Sequence, residues 1–174
     1  MTNGSTELVH NLSFAWRVTR YDPAYRDPRG AYTIETWTSI GDVGRVFEGH
    51  VLSIEEYEGV ESAYIDAFLS FAHEAGTESV HVREYSSSGG EQIEEGAIVP
   101  IGEATEIVRA MLREEVNCRL ESPENDFYLH VGFDLYMYVG AANPCPKAVA
   151  HANEIGLFVD SDWPSPMLPD MEGE

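Results

Sequence analysis

Hydrophobic positions recur along this chain with two different periods. In residues 13–21, "SFAWRVTRY", Phe14, Trp16 and Val18 alternate with Ala15, Arg17 and Thr19, the pattern of a half-buried strand. From Ser53 the spacing lengthens: Ile54, Tyr57, Val60, Tyr64, Phe68, Phe71 and Ala75 recur at three and four residues, one apolar stripe along a helix. Ser53 followed by Glu56 predicts a capping box at its start, and Gly76 a left-handed stop. Glu55, Glu58, Glu61 and Asp66 fall mainly off the stripe, which predicts an acidic outer face. A strand, "ESVHVREY", follows with Val80 and Val82 on one side. Residues 86–96 are polar and glycine-rich, a connector. "EATEIVRAMLREEV" has the period of a second helix, with Ile107, Val108, Met111 and Leu112 inward and a Glu106–Arg109 pair outside. "PCPKAVAHANEIG" predicts a short helix and "LFVD" a short strand. A proline-rich tail, residues 161–174, is expected to be extended, with Trp163 as its anchor.

Between the second and third helical patterns lies "DFYLHVGFDLYMYVG", two alternating runs around a glycine, residues 126–140. A two-residue turn at Gly132 and Phe133 would mix polar and apolar side chains on both faces. A three-residue loop of Gly132, Phe133 and Asp134 sorts them, pairing Val131 with Leu135, Leu129 with Met137 and Phe127 with Val139. That register turns Phe127, Leu129, Val131, Leu135, Met137 and Val139 to the core. Tyr128, His130, Tyr136 and Tyr138 are left on the opposite face, either covered by another layer such as the tail or open as a contact surface.

The elements together predict an α+β fold, a largely antiparallel sheet of about five strands with two main helices on one side. At 174 residues the chain is expected to form a single domain. Its two halves would be residues 1–85 and 97–160, joined by the connector.

Charge changes this picture most. Thirty-one acids oppose ten bases, for a net charge of −21, and Lys147 is the only lysine. The first 45 residues carry five acids and five arginines, so the excess belongs to the remainder. Such a field disfavours nucleic acid and anionic membranes as partners and favours a basic protein. No apolar run approaches the ~18 residues of a membrane span, no signal pattern opens the chain, and two cysteines suit a reduced, cytoplasmic setting.

The arginines concentrate in residues 21–45, a long segment without sustained period that also holds Tyr21, Tyr25, Tyr32 and Trp37. One reading is an ordered wrap in which arginines pair with the acidic body. The other is a small-anion or planar-ligand pocket with Arg26 and Arg29 as forks and Tyr25 or Trp37 as a wall. The run "YDPAYRDPRGAYTIETWTSIGDVG", with "EEYEGVESAYIDAF", "FYLHVGFDLYMYVG" and "GLFVD" downstream, resembles a group of small bacterial proteins of unknown function over most of residues 15–160. The resemblance implies no activity and no catalytic residue.

Catalytic and metal patterns are weak. "HEAGT" lacks the second histidine of a zinc-protease helix, and Cys118, His130, Cys145 and His151 have no C-x-x-C spacing. No nucleophile elbow, P-loop or dinucleotide fingerprint occurs, so no cofactor and no catalytic set are expected. The leading expectation is an acidic binding protein, an inhibitor or immunity-type partner of a basic protein such as a nuclease toxin. Its contact residues would be Tyr128, His130, Tyr136 and Tyr138 with Glu55, Glu58 and Glu61. The alternatives are an enzyme or anion-binding domain using the arginine-rich segment, and a homodimer with the tyrosine stripe as its seam.

Overall fold

The computed structural model describes residues 12–88 and 92–166. Its fold is α+β. Seven strands form one sheet in the order β5-β4-β6-β7-β8-β1-β9, with every neighbouring pair antiparallel. They are β1 (Phe14–Thr19), β4 (Ser79–Ser87), β5 (Ile98–Pro100), β6 (Val116–Glu121), β7 (Phe127–Val131), β8 (Met137–Ala141) and β9 (Phe158–Ser161). A separate hairpin joins β2 (Val46–Phe47) to β3 (His50–Val51). Three helices, α1 (Ile54–Glu74), α2 (Ile101–Leu112) and α3 (Pro146–Glu154), share the core with alternate residues of the sheet. Seven strands rather than five, and three helices rather than two, correct the expected counts. The first half supplies β1, which lies between β8 and β9 of the second.

The helix-side core joins Trp16 and Val18 of β1, Val80 and Val82 of β4, Cys118 and Leu120 of β6, and Phe127 and Leu129 of β7. Tyr57, Tyr64, Phe68 and Phe71 of α1 meet them, and Phe68 lies 6.5 Å from the Phe127 ring. Ser53 caps α1 by accepting from the Glu56 amide at 3.1 Å. Glu56 does not complete the box; its carboxylate contacts His50. The carboxylate of Glu74, at the other end of α1, accepts from the Ala148 and Lys147 amides at 2.6 and 3.2 Å. It thereby caps α3, whose own N-cap, Cys145, provides no side-chain bond.

Glu61 departs from its expected place on the acidic outer face. It is 3% exposed and held between Arg109 (3.1 Å) and Arg113 (2.8 and 3.0 Å) of the α2 end. Burial raises the Glu61 carboxyl, but hydrogen bonds and charge from these guanidiniums hold it below the usual range. Arg109 also bonds Glu106 at 2.6 Å, the pair expected from its spacing.

Candidate binding groove

The hairpin between β7 and β8 has the predicted faces in a shifted register. Phe127 pairs with Ala141, Leu129 with Val139, and Val131 with Met137, two residues away from the expected partners. A shift of two preserves the alternation, so the same side chains reach the core. The loop is accordingly longer, and Tyr136 belongs to it rather than to β8. Asp134 and Leu135 both take left-handed conformations, with φ of 59° and 61°. Neither is glycine, so each costs about 1 kcal/mol or more. Two tyrosine hydroxyls hold the strained turn: Tyr21 donates to the Asp134 carbonyl and Tyr64 to the Leu135 carbonyl, both at 2.7 Å. Tyr64 in turn accepts from the Arg20 amide at 2.8 Å, tying β1, α1 and the loop together.

The loop forms one side of a cavity of about 700 Å³. Met111, Val131, Tyr136, Tyr138 and Phe133 supply its apolar lining, and Phe133 at the tip is 80% exposed. Across from the loop are Glu114 and Glu115, just past the end of α2, and Ser86–Ser88 past the bulge in β4. Asp134 adds a third carboxylate. Among the described residues, none of these three acids lies in an ion pair, whereas Glu61, Glu121 and Asp160 all do. The groove thus combines an apolar interior with three carboxylates that form no ion pair among the described residues.

The tyrosine stripe does turn away from the helices, but it is not an open surface. Tyr128, His130 and Tyr138 are all buried, and Tyr136 is half-buried. Their cover is the segment after β9. Asp162, at φ 57°, turns it back over the sheet, where Trp163 stacks 3.6 Å from the Arg17 guanidinium carbon. The Ser165 amide donates to the Tyr128 hydroxyl at 3.3 Å, and its hydroxyl meets His130 Nδ1 at 2.9 Å. Burial, then the charge of Arg119, lowers the His130 pKa to about 4, keeping the ring neutral near pH 7. Trp163, the expected anchor of the tail, thus lies against Arg17, while tail residues 167–174 lie outside the described residues.

The remaining predicted site residues do not gather. Glu55 and Glu58 are exposed on α1 and do not line the groove, and Glu61 is committed to its arginines. Arg26 reaches Asp160 at 3.0 Å and the Tyr32 hydroxyl at 2.8 Å, which raises its pKa. Trp37 packs in the core 5.9 Å from the Tyr57 ring, and Arg20 lies over it at 3.8 Å. Tyr25 and Arg29 are exposed. The four residues Tyr25, Arg26, Arg29 and Trp37 thus do not gather in one pocket, and the half-buried Arg26 already faces a carboxylate of the chain.

Burial pushes the Cys118 thiol up to about 12 and the Cys145 thiol up to about 11, so neither is a thiolate at neutral pH. Among the described residues no group of three or more His, Cys, Asp or Glu is placed to hold a metal ion. No described helix is long and apolar enough to cross a membrane.

Sequence reasoning missed Phe133, Asp134, Glu114 and Glu115. A large apolar ring at a hairpin tip was one available signal. Two acids just beyond a helix C-terminus, where the macrodipole disfavours them, were another. Comparison with family models, curated proteins and solved structures finds no match.

Proposed function

We propose that this chain is an acidic binding protein that receives a positively charged segment of a protein partner in the groove beside the β7–β8 loop. The observation that carries the reading is the pairing of apolar lining with three carboxylates, Glu114, Glu115 and Asp134, that form no ion pair among the described residues. An arginine or lysine side chain has the complementary form. Its methylenes would lie against Phe133 and Tyr136 while its charged end meets the acids. The net charge of −21 would speed encounter with a basic partner and weaken with salt. An inhibitor or immunity-type protein that occludes a basic enzyme such as a nuclease toxin is the form of this reading that the charge favours. It requires no catalytic group.

Titration of the isotopically labelled chain with an arginine-rich peptide tests the location. Amide shifts should concentrate on residues 114–117 and 132–136. Shifts centred instead on Glu55 and Glu58 of α1, or spread evenly over the surface, would reject the groove.

A further inference from the structure

The face of the sheet turned away from the helices has an unusual composition for a buried surface. Arg17 of β1, Arg119 and Glu121 of β6, Tyr128 and His130 of β7 and Tyr138 of β8 are each less than a tenth exposed. An apolar face would resist exposure strongly. One made of charged, phenolic and imidazole groups loses far less when its cover leaves, because water can satisfy it. The cover across β1, β8 and β7 is a short segment without regular structure, residues 162–166, whose contacts include the bonds of Ser165 to Tyr128 and His130. Trp163 is bonded through its amide to the Ala15 carbonyl at 3.3 Å, yet the residue remains 36% exposed.

The way this segment is held matches the recognition of proline-rich peptides. Such peptides lack internal hydrogen bonds, are stiff before binding and dock on surfaces of tyrosine and other aromatic rings. Here the indole lies on the Arg17 guanidinium, which Tyr136 approaches at 4.9 Å. The residue between the two prolines is read through its backbone by Tyr128 and through its side chain by His130. His130 and Tyr138 stack with ring centroids 5.8 Å apart, forming a flat aromatic platform. Beside it, Gly140 has no side chain, and a Cβ there would come within 2.0 Å of the Tyr128 ring.

We infer that this platform is a peptide-binding site for an extended Trp-Pro-x-Pro segment of a partner protein, occupied in this chain by its own residues 162–166. The platform adjoins the acidic groove and shares His130, Tyr136, Tyr138 and Pro166 with its lining, but it uses none of the three carboxylates. A tethered occupant acts at an effective concentration in the millimolar range, so a free peptide at micromolar concentration competes poorly until the tether's grip is weakened.

The probe is a fluorescent peptide of sequence Ser-Asp-Trp-Pro-Ser-Pro, titrated into the full chain carrying Trp163→Ala, with anisotropy as readout. Saturable binding is expected, at least tenfold tighter than to the unmutated chain. The same peptide with alanine for tryptophan should bind at least tenfold more weakly. Adding Tyr128→Phe to the host, which removes only the hydroxyl that accepts from Ser165, should weaken binding several-fold. Neutralising the groove with E114Q, E115Q and D134N should leave the peptide affinity unchanged. If Trp163→Ala does not fold, Ser165→Ala provides the weakened host, with a gain of about threefold. Absence of saturable binding to a folded host, or equal binding by the tryptophan-free peptide, would overturn the inference. A concentration-dependent dimer of the unmutated chain that the peptide dissociates would overturn the partner assignment in favour of exchange between copies.

Discussion

Glu58 and Glu61 are separated by less than one turn of α1, and their sequence surroundings look alike. Glu58 is exposed, while Glu61 is 3% exposed between two arginines of α2. Replacing Glu61 with glutamine leaves Arg109 and Arg113 facing a neutral amide. Because both guanidiniums keep some solvent, the loss should fall below the full cost of breaking a buried pair, at about 2 kcal/mol. Glu58→Gln should change stability by less than about 0.5 kcal/mol. Urea unfolding midpoints separate the two. Position 61 was not legible because helical period alone places it beside the apolar stripe, and only the ends of α2 decide what it meets.

His130 provides a second test at this scale. Its folded pKa, near 4, lies below the ordinary histidine value of about 6.5, so the unfolded chain binds the proton more readily. Stability therefore rises with pH across that interval: this contribution is present above pH 6.5 and is lost as pH falls toward 4. His130→Gln should flatten that part of the pH–stability curve, and an unchanged slope would show that the ring is not held neutral by its burial.

At the scale of elements, the faces of β7 and β8 could be read from sequence, but their exact pairing could not. Alternation fixes which side each residue takes, and a two-residue shift leaves that intact. The shift arises because Asp134 and Leu135 adopt left-handed backbone that nothing in their identity announces; Tyr21 and Tyr64, far away in sequence, impose it. β6 was hidden for a related reason. "VNCRLE" alternates, but its outward residues, Arg119 and Glu121, are themselves buried, and its start adjoins the end of the helical pattern of α2. The three-residue β5 emerges from the connector too briefly to show any period. The paired strands make one residue critical. Gly140 lies opposite Tyr128, and its missing side chain makes room for that ring. Gly140→Ala should destabilise the chain by about 2 kcal/mol or more through overpacking. Combining it with Tyr128→Ala should recover part of that loss, a coupling that a double-mutant cycle in urea measures directly.

Across the whole molecule, charge is distributed by commitment as well as by number. Six of the nine arginines are held by the body, Arg26 by Asp160, Arg109 and Arg113 by Glu61, Arg119 by Glu121, Arg17 beneath Trp163 and Arg20 over Trp37, while Arg29 and Arg45 are exposed. The acids of the groove remain without such partners among the described residues. Composition made the acidity legible, but the gathering of Glu114, Glu115 and Asp134 around one groove emerged only from the fold, because β6, β7 and the end of α2 bring them together.

The most direct test compares two triple variants of equal charge change, E114Q/E115Q/D134N in the groove and E55Q/E58Q/E103Q on exposed helical positions. The affinity of each for an arginine-rich peptide is measured by calorimetry from low to physiological salt. The groove variant should lose about tenfold or more in affinity and much of its salt dependence, while the helix variant changes by about twofold or less. Equal losses in the two variants would contradict a groove built to receive positive charge and leave only the general attraction of an acidic surface.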